Sequence, residues 1–118
     1  MNFWRNLPKP FFVLAPMADV TDPAFRRIVA NYSRHGEIGG GPDVLWTEFV
    51  SADGLAHPIG RMKLMRDLEY SEPERPIVAQ LFSSNPENMR SACKLCTELG
   101  FDGIDINMGC PAKKVVKS

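Results

Sequence analysis

The chain has 118 residues, of which fourteen are basic and fourteen are acidic, so its formal net charge is zero. A chain of this length makes at most one domain. Its balanced charge gives no overall basic surface of the kind that would indicate binding to nucleic acid or to a membrane.

Three cysteines, an odd number, favour a reducing compartment over a disulfide framework. The N-terminal apolar stretch is too short and too interrupted by proline for a signal peptide or membrane span. We therefore expect a soluble, cytoplasmic protein.

Apolar runs bounded by proline or glycine predict four short strands. Such runs are typical of strands that are buried on both faces of a parallel sheet. The predicted strands are residues 11–15, 44–47 and 77–82, followed by a stretch in which Ile104 and Ile106 alternate with Asp105 and Asn107. Glu48 is expected at the carboxyl end of the second strand.

Helical patterns lie between the predicted strands. A polar cap followed by proline opens the first and third of them, and a glycine follows each of these two. The predicted helices are residues 23–36, 49–56 and 86–99. The segment 57–76 mixes charges, methionines and prolines without a clear period, so we expect irregular structure there with at most one turn of helix.

This alternation of strands and helices predicts an α/β fold with a parallel sheet, either open and doubly wound or closed as a barrel. In both architectures functional residues collect at the carboxyl ends of the strands. We therefore expect a site formed by residues 16–18, 47–48, 80–83 and 107–111.

The cysteines fall into two kinds of sequence environment. Cys110 follows the fourth strand in a Gly-Cys-Pro turn, where the glycine allows the bend and the proline stops the strand, which favours a chemical role. Cys93 and Cys96 have the spacing of a zinc or redox motif, but they lie within the last predicted helix without a second pair or a nearby histidine. We expect these two to pack in the core and predict no metal site.

Gln80 interrupts an otherwise apolar predicted strand. A buried amide needs hydrogen-bond partners, and its donor and acceptor together suit the edge of a heteroaromatic ring. Satisfaction of the side chain by the protein backbone is the alternative interpretation.

Four segments carry a resemblance that covers nearly the whole chain from residue 11. They are APMADVTDPAFR at 15–26, TEFVSADGL at 47–55, PIVAQLFSSNPE at 76–87 and GFDGIDINMGCPAKKVV at 100–116. In order, spacing and residue identity they resemble the N-terminal part of the tRNA-dihydrouridine synthases. The resemblance implies a flavin-dependent (β/α)₈ TIM barrel that reduces the 5,6 double bond of uridine in tRNA, with FMN as cofactor and NADPH as the reductant of the flavin.

The same resemblance implies roles for individual residues. Pro16, Met17 and Ala18 would line the FMN ring, Gln80 would hydrogen-bond its pyrimidine edge, and Asn107 would face the target uracil. Cys110 would be the proton donor. A thiol ordinarily has a pKa of about 8.5 and keeps its proton at neutral pH, so a cysteine can act here as an acid rather than a nucleophile.

A complete (β/α)₈ barrel typically has about 250 residues. The resemblance therefore implies that residues 1–118 are the N-terminal half of an FMN-binding barrel, without the later strands, the phosphate-binding loops and the helical tRNA-binding domain. A half-barrel with two open sheet edges is expected to self-associate. Two alternatives are an FMN barrel of the dihydroorotate or dihydropyrimidine dehydrogenase type, which acts on a free base, and a non-catalytic half-barrel that serves as a binding module.

Overall fold

The computed structural model describes residues 2–116, and within them four parallel strands form one sheet in sequence order. The strands are β1 (Val13–Leu14), β2 (Val44–Ser51), β3 (Ile77–Phe82) and β4 (Gly103–Ile106). The helices between and after them are α1 (Pro23–Tyr32), α2 (Ala52–Ala56), α3 (Pro58–Leu64), α4 (Pro86–Glu98) and α5 (Lys113–Val116). This order confirms the predicted α/β class, and the arrangement is that of the N-terminal part of a (β/α)₈ barrel.

The best-predicted elements are those with strong local end signals. The structure places β3 at the predicted residues. It begins α4 after Asn85, whose side chain accepts hydrogen bonds from the backbone N–H groups of Glu87 and Asn88. Gly100, with a φ of +84°, follows the C-cap of the same helix. The predicted start of α1 is also confirmed, because Asp22 accepts a hydrogen bond of 2.7 Å from the N–H of Phe25.

Two strands differ in length from their predictions. Only two of the five residues predicted for the first strand pair with β2, because Phe12 instead exchanges hydrogen bonds with Asp43, at 2.7 Å in each direction. The second strand is longer than predicted, because an irregularity between Trp46 and Phe49 lets pairing with β3 resume and continue to Ser51. Residues 49–51, predicted as helix, are therefore strand, and Glu48 lies inside β2 rather than at its end.

Two helices also differ from the sequence prediction. The first ends at Tyr32 instead of near Gly36, and the chain beyond it turns through Arg34, which has a φ of +53°. The segment 57–76 is not irregular, because it contains α3 and a short 3₁₀ helix at Glu72–Glu74. The helix α3 packs closely against α2. A Cβ added at Gly60 would lie 2.4 Å from the carbonyl oxygen of Gly54, so only glycine fits at this position between the two helices.

The hydrophobic core lies on one face of the sheet, beneath α2, α3 and α4. Val50, Ala79 and Leu81 project from the strands into this core, and all three are fully buried. Cys96 is also fully buried there, and Cys93 packs against the same cluster. Burial, with a smaller contribution from the neighbouring Cys93, raises the pKa of the Cys96 thiol to about 11. The predicted packing role of these two cysteines is confirmed.

The opposite face of the sheet carries a row of different side chains. The register pairs Trp46 with Val78, Phe49 with Gln80, and Gln80 with Asp105, so these residues share one face. In a closed barrel this face lines the interior.

The N-terminal segment covers the amino end of this interior face. The Trp4 ring packs against Trp46 with 5.8 Å between ring centroids. A Cβ added at Gly103 would lie 3.1 Å from the Phe3 ring and 3.2 Å from the Trp4 ring, so the segment lies directly on the start of β4. The carboxyl end of the same face leads to the predicted site.

A fully buried ion pair joins α1 to the segment that precedes β3. Arg26 Nε donates to Glu74 Oε1 at 2.8 Å, and both side chains are completely excluded from solvent. The other guanidinium nitrogens donate to the carbonyl oxygens of Thr21 and Glu69 at 2.7 and 2.6 Å. The second carboxylate oxygen of Glu74 accepts from Ser71. Each guanidinium nitrogen and each carboxylate oxygen of the pair thereby has at least one hydrogen-bond partner, as burial of two charges requires.

Candidate active site at the carboxyl ends of the strands

A cavity of about 550 Å³ lies at the carboxyl ends of the strands. Its walls include Ala18 after β1, Phe49 from β2, Phe82 from β3 and Cys110 after β4. A smaller cavity of about 250 Å³ is lined by Asn107, and it shares Cys110 and Phe82 with the first. The structure therefore brings Ala18, Asn107 and Cys110 to one mouth, and Cys110 borders both cavities.

The loop after β1 is a tight turn closed by its own hydrogen bonds. The carbonyl oxygen of Met17 accepts from the backbone N–H groups of Val20 and Thr21 at 3.1 and 3.0 Å. The N–H of Met17 donates to the buried hydroxyl of Thr21 at 3.0 Å. Met17 is 41% exposed. Pro16 and Met17 do not themselves line the two cavities, but they immediately precede Ala18, which does.

Cys110 lies on a turn that the side chain of Asn107 shapes. The Oδ1 atom of Asn107 accepts a hydrogen bond of 3.0 Å from the backbone N–H of Gly109, the pattern of an Asx-turn. Cys110 is half-buried. The helix α5 follows almost at once, and its residues Lys114 and Val115 complete the wall of the larger cavity. The thiol is therefore partly shielded but still faces the cavity.

Gln80 is satisfied by side chains rather than by the backbone. Its Nε2 donates to Asp105 Oδ2 at 2.7 Å, and its Oε1 accepts from Asn107 Nδ2 at 3.3 Å. The same Asp105 oxygen accepts from the indole N–H of Trp46 at 3.2 Å. Only 8% of Gln80 is exposed. One N–H and one lone pair of the Gln80 amide remain beyond these two bonds.

The cavity also contains carboxylates, among them Glu48, which belongs to the predicted site, and Asp67, which the sequence did not indicate. Burial raises the pKa of Glu48, and the negative charges of Asp67, Asp19 and Asp22 raise it further, against the hydrogen bond that the Asp19 N–H donates to Glu48. Burial likewise raises the pKa of Asp67, while the charge of Arg26 opposes that shift. Both carboxylates are thus held in a site that disfavours their charge.

Asp67 and Asp105 were not predicted as residues of the site, for different reasons. Asp67 approaches the cavity only because α3 folds over α2, and its segment has no clear sequence period. Asp105 carried a usable signal, because it alternates with Ile104 and Ile106 and shares a strand face with Asn107. What the sequence did not provide is the register that sets Asp105 directly beside Gln80.

The residues at this mouth fit the ring of a flavin. The Phe49 and Phe82 rings, with centroids 4.8 Å apart, give the cavity apolar walls. Gln80 lines neither cavity, but it is hydrogen-bonded to Asn107 at the mouth, and its amide retains a donor and an acceptor for a heteroaromatic edge. Within residues 2–116, no group of three or more His, Cys, Asp or Glu side chains could hold a metal ion. None of the helices in that range is long and apolar enough to cross a membrane.

Comparison with known proteins agrees with this geometry. The family model described as dihydrouridine synthase (Dus) matches residues 13–118. The chain is 48% identical over 114 residues to the probable tRNA-dihydrouridine synthase 2 of Bacillus subtilis (strain 168), which covers 97% of this chain and 33% of that protein. It is 44% identical over 116 residues to the probable tRNA-dihydrouridine synthase of Staphylococcus aureus (strain COL), covering 98% and 33%. The chain spans about a third of the length of these curated relatives. It belongs to the dihydrouridine synthase family.

Proposed function

We propose that this chain contributes part of the flavin site of an enzyme that reduces uridine in tRNA to 5,6-dihydrouridine, with FMN as cofactor and NADPH as reductant. The observation that carries the proposal is the hydrogen-bonded set of Gln80, Asn107 and the Cys110 turn, of which Asn107 and Cys110 line the cavities, in a chain of this family. The names of its relatives support a tRNA substrate.

Each residue of the mouth then has a role that suits its chemistry. Pro16, Met17 and Ala18 contact the flavin ring, and Gln80 hydrogen-bonds its polar edge. When bound, the flavin supplies the hydride that reduces the 5,6 double bond of the uracil.

The remaining roles concern the substrate. Asn107 orients the uracil through its amide, and Cys110 donates the proton that C5 receives. The half-buried position of Cys110 at the junction of two cavities supports this role, because a base can reach the thiol while bulk water is partly excluded.

The rest of the enzyme belongs to the part of the relatives that this chain does not cover. We assign to that part the closing strands of the barrel, the phosphate-binding loops and the helical tRNA-binding domain. A tRNA substrate also places the protein in the cytoplasm. Membership of the dihydrouridine synthase family favours this function over reduction of a free pyrimidine and over a non-catalytic half-barrel.

The test is replacement of the thiol in the full gene product that carries this chain. Cys110→Ala should retain flavin binding and NADPH oxidation, but its dihydrouridine yield should fall by a factor of about 10² or more, because the proton donor is lost. Cys93→Ala is the matched control, since Cys93 packs against the core away from the mouth, and its yield should stay near that of the wild type. A Cys110→Ala variant with undiminished dihydrouridine yield would contradict the assignment.

A further inference from the structure

Three hydrogen bonds at the mouth run head to tail in one direction. Gly109 N–H donates to Asn107 Oδ1 at 3.0 Å, and Asn107 Nδ2 donates to Gln80 Oε1 at 3.3 Å. Gln80 Nε2 then donates to Asp105 Oδ2 at 2.7 Å. The series begins on the turn that carries Cys110 and ends on the carboxylate of Asp105, on the interior face of β4. We call these four residues the polar chain.

The two ends of the polar chain fix its direction. A backbone N–H such as that of Gly109 can only donate, and a carboxylate such as that of Asp105 can only accept. An amide in between can take either orientation, but only one orientation of Asn107 and Gln80 satisfies both ends. The oxygen of each amide must therefore face the Cys110 turn, and the nitrogen must face Asp105.

We infer that Asp105 is a positioning residue that sets the orientation of Gln80 and, through the hydrogen bond between Gln80 and Asn107, supports the turn that presents Cys110. The functional meaning of these three residues rests on the proposed function. Asp105 itself touches no residue of the turn in this series, so it acts through the two amides. Without an acceptor at position 105, the nearly buried Gln80 nitrogen would lose its partner, and the amide would no longer be held in one orientation.

Trp46 holds the carboxylate in place. Its indole N–H, which can only donate, binds the same Asp105 oxygen as Gln80 does. The ring of Trp46 in turn packs against Trp4 of the N-terminal segment. An asparagine in place of Asp105 would thus keep its oxygen toward Trp46 and Gln80, so the polar chain needs the acceptor and not the negative charge.

This requirement gives a matched pair of variants. Asp105→Leu removes the acceptor at similar volume, and Asp105→Asn keeps an acceptor without the charge. Both are made in the full gene product that carries this chain, with folding checked by circular dichroism. Asp105→Ala takes the place of the leucine variant if that variant does not fold.

The direct readout is the side-chain amide signal of Gln80 in the flavin-free protein labelled with [¹⁵N]glutamine. Gln80 is the single glutamine among the 118 residues, and a Gln80→Glu sample identifies its signals by their loss. Asp105→Leu should move these signals to the positions of a free amide, whereas Asp105→Asn should leave them close to those of the wild type. Wild-type amide signals in the leucine or alanine variant would overturn the inference.

A second readout is the affinity for FMN, measured by quenching of flavin fluorescence. Asp105→Leu should weaken binding about tenfold, the effect of losing one buried hydrogen bond, and Asp105→Asn should stay within about threefold of the wild type. A wild-type protein that binds no FMN would contradict the proposed function, and the amide signals would still decide the role of Asp105. Equal FMN affinities for the leucine variant and the wild type would overturn the inference.

Discussion

The structure contains two polar networks, one beside the sheet and one on its interior face, and they differ in how completely they are closed. The Arg26–Glu74 pair is wholly excluded from solvent, and each of its nitrogens and carboxylate oxygens has a partner within the protein. The polar chain from Gly109 to Asp105 is only partly buried, and it borders a cavity through Asn107. A closed network stabilises one conformation, whereas an open one keeps bonding capacity for a ligand. We therefore assign the first to the fold and the second to function.

The largest expected effect comes from breaking the closed network. Glu74→Gln removes the charge that compensates Arg26 and turns an amide nitrogen toward the donors of Ser71, so it should cost about 3–5 kcal/mol of unfolding free energy. Urea unfolding of the full gene product, followed by circular dichroism, measures this loss.

An apolar replacement of the whole pair provides the control. Arg26→Met combined with Glu74→Leu leaves no buried charge, so it should recover much of the loss. A Glu74→Gln variant as stable as the wild type would show that the pair does not stabilise the fold.

A smaller effect, of a different kind, is expected from breaking the open network at its centre. Gln80→Leu fills a similar volume and should leave the protein folded, but it removes the amide that we assign to the flavin edge. FMN affinity should fall about tenfold, or the flavin absorbance should shift, because a buried hydrogen bond is lost. Flavin occupancy and spectrum identical to the wild type would return Gln80 to a purely structural role.

The smallest expected effect concerns the cavity carboxylates. Burial raises the pKa of both Glu48 and Asp67, so each favours the folded state only while it is protonated. This contribution is present at acidic pH and is lost as the pH rises through the raised pKa values. Glu48→Gln and Asp67→Asn should therefore raise the melting temperature slightly, with a gain that grows from about pH 4 to pH 7.

Melting curves at several pH values test this last expectation. Both groups are only half-buried, so the gain should be small. A gain that is the same at pH 4 and pH 7 would show that the two carboxylates do not strain the cavity.

The sequence predicted those parts of the molecule that local signals determine. Asn85, Pro86 and Gly100 mark the ends of α4, and the Gly-Cys-Pro turn places Cys110 after the last strand. The alternation around Ile104 predicted the two faces of β4 for the same reason.

The missed features depend on contacts between distant segments. The extension of β2 to Ser51 follows from an irregularity in its pairing with β3, and α3 depends on the close approach of Gly60 to Gly54. Asp105 becomes part of the site only through its register with Gln80. No single stretch of sequence contains that information.

The most direct test of the central claim is an FMN titration of the wild-type gene product beside Gln80→Leu and Glu74→Gln, at a temperature where circular dichroism shows all three to be folded. The account predicts that the wild type binds FMN, that Gln80→Leu binds it about tenfold more weakly, and that Glu74→Gln stays within about threefold of the wild type. Equal weakening in the two variants, or wild-type affinity in Gln80→Leu, would contradict the assignment of the open network to the flavin and the closed one to the fold.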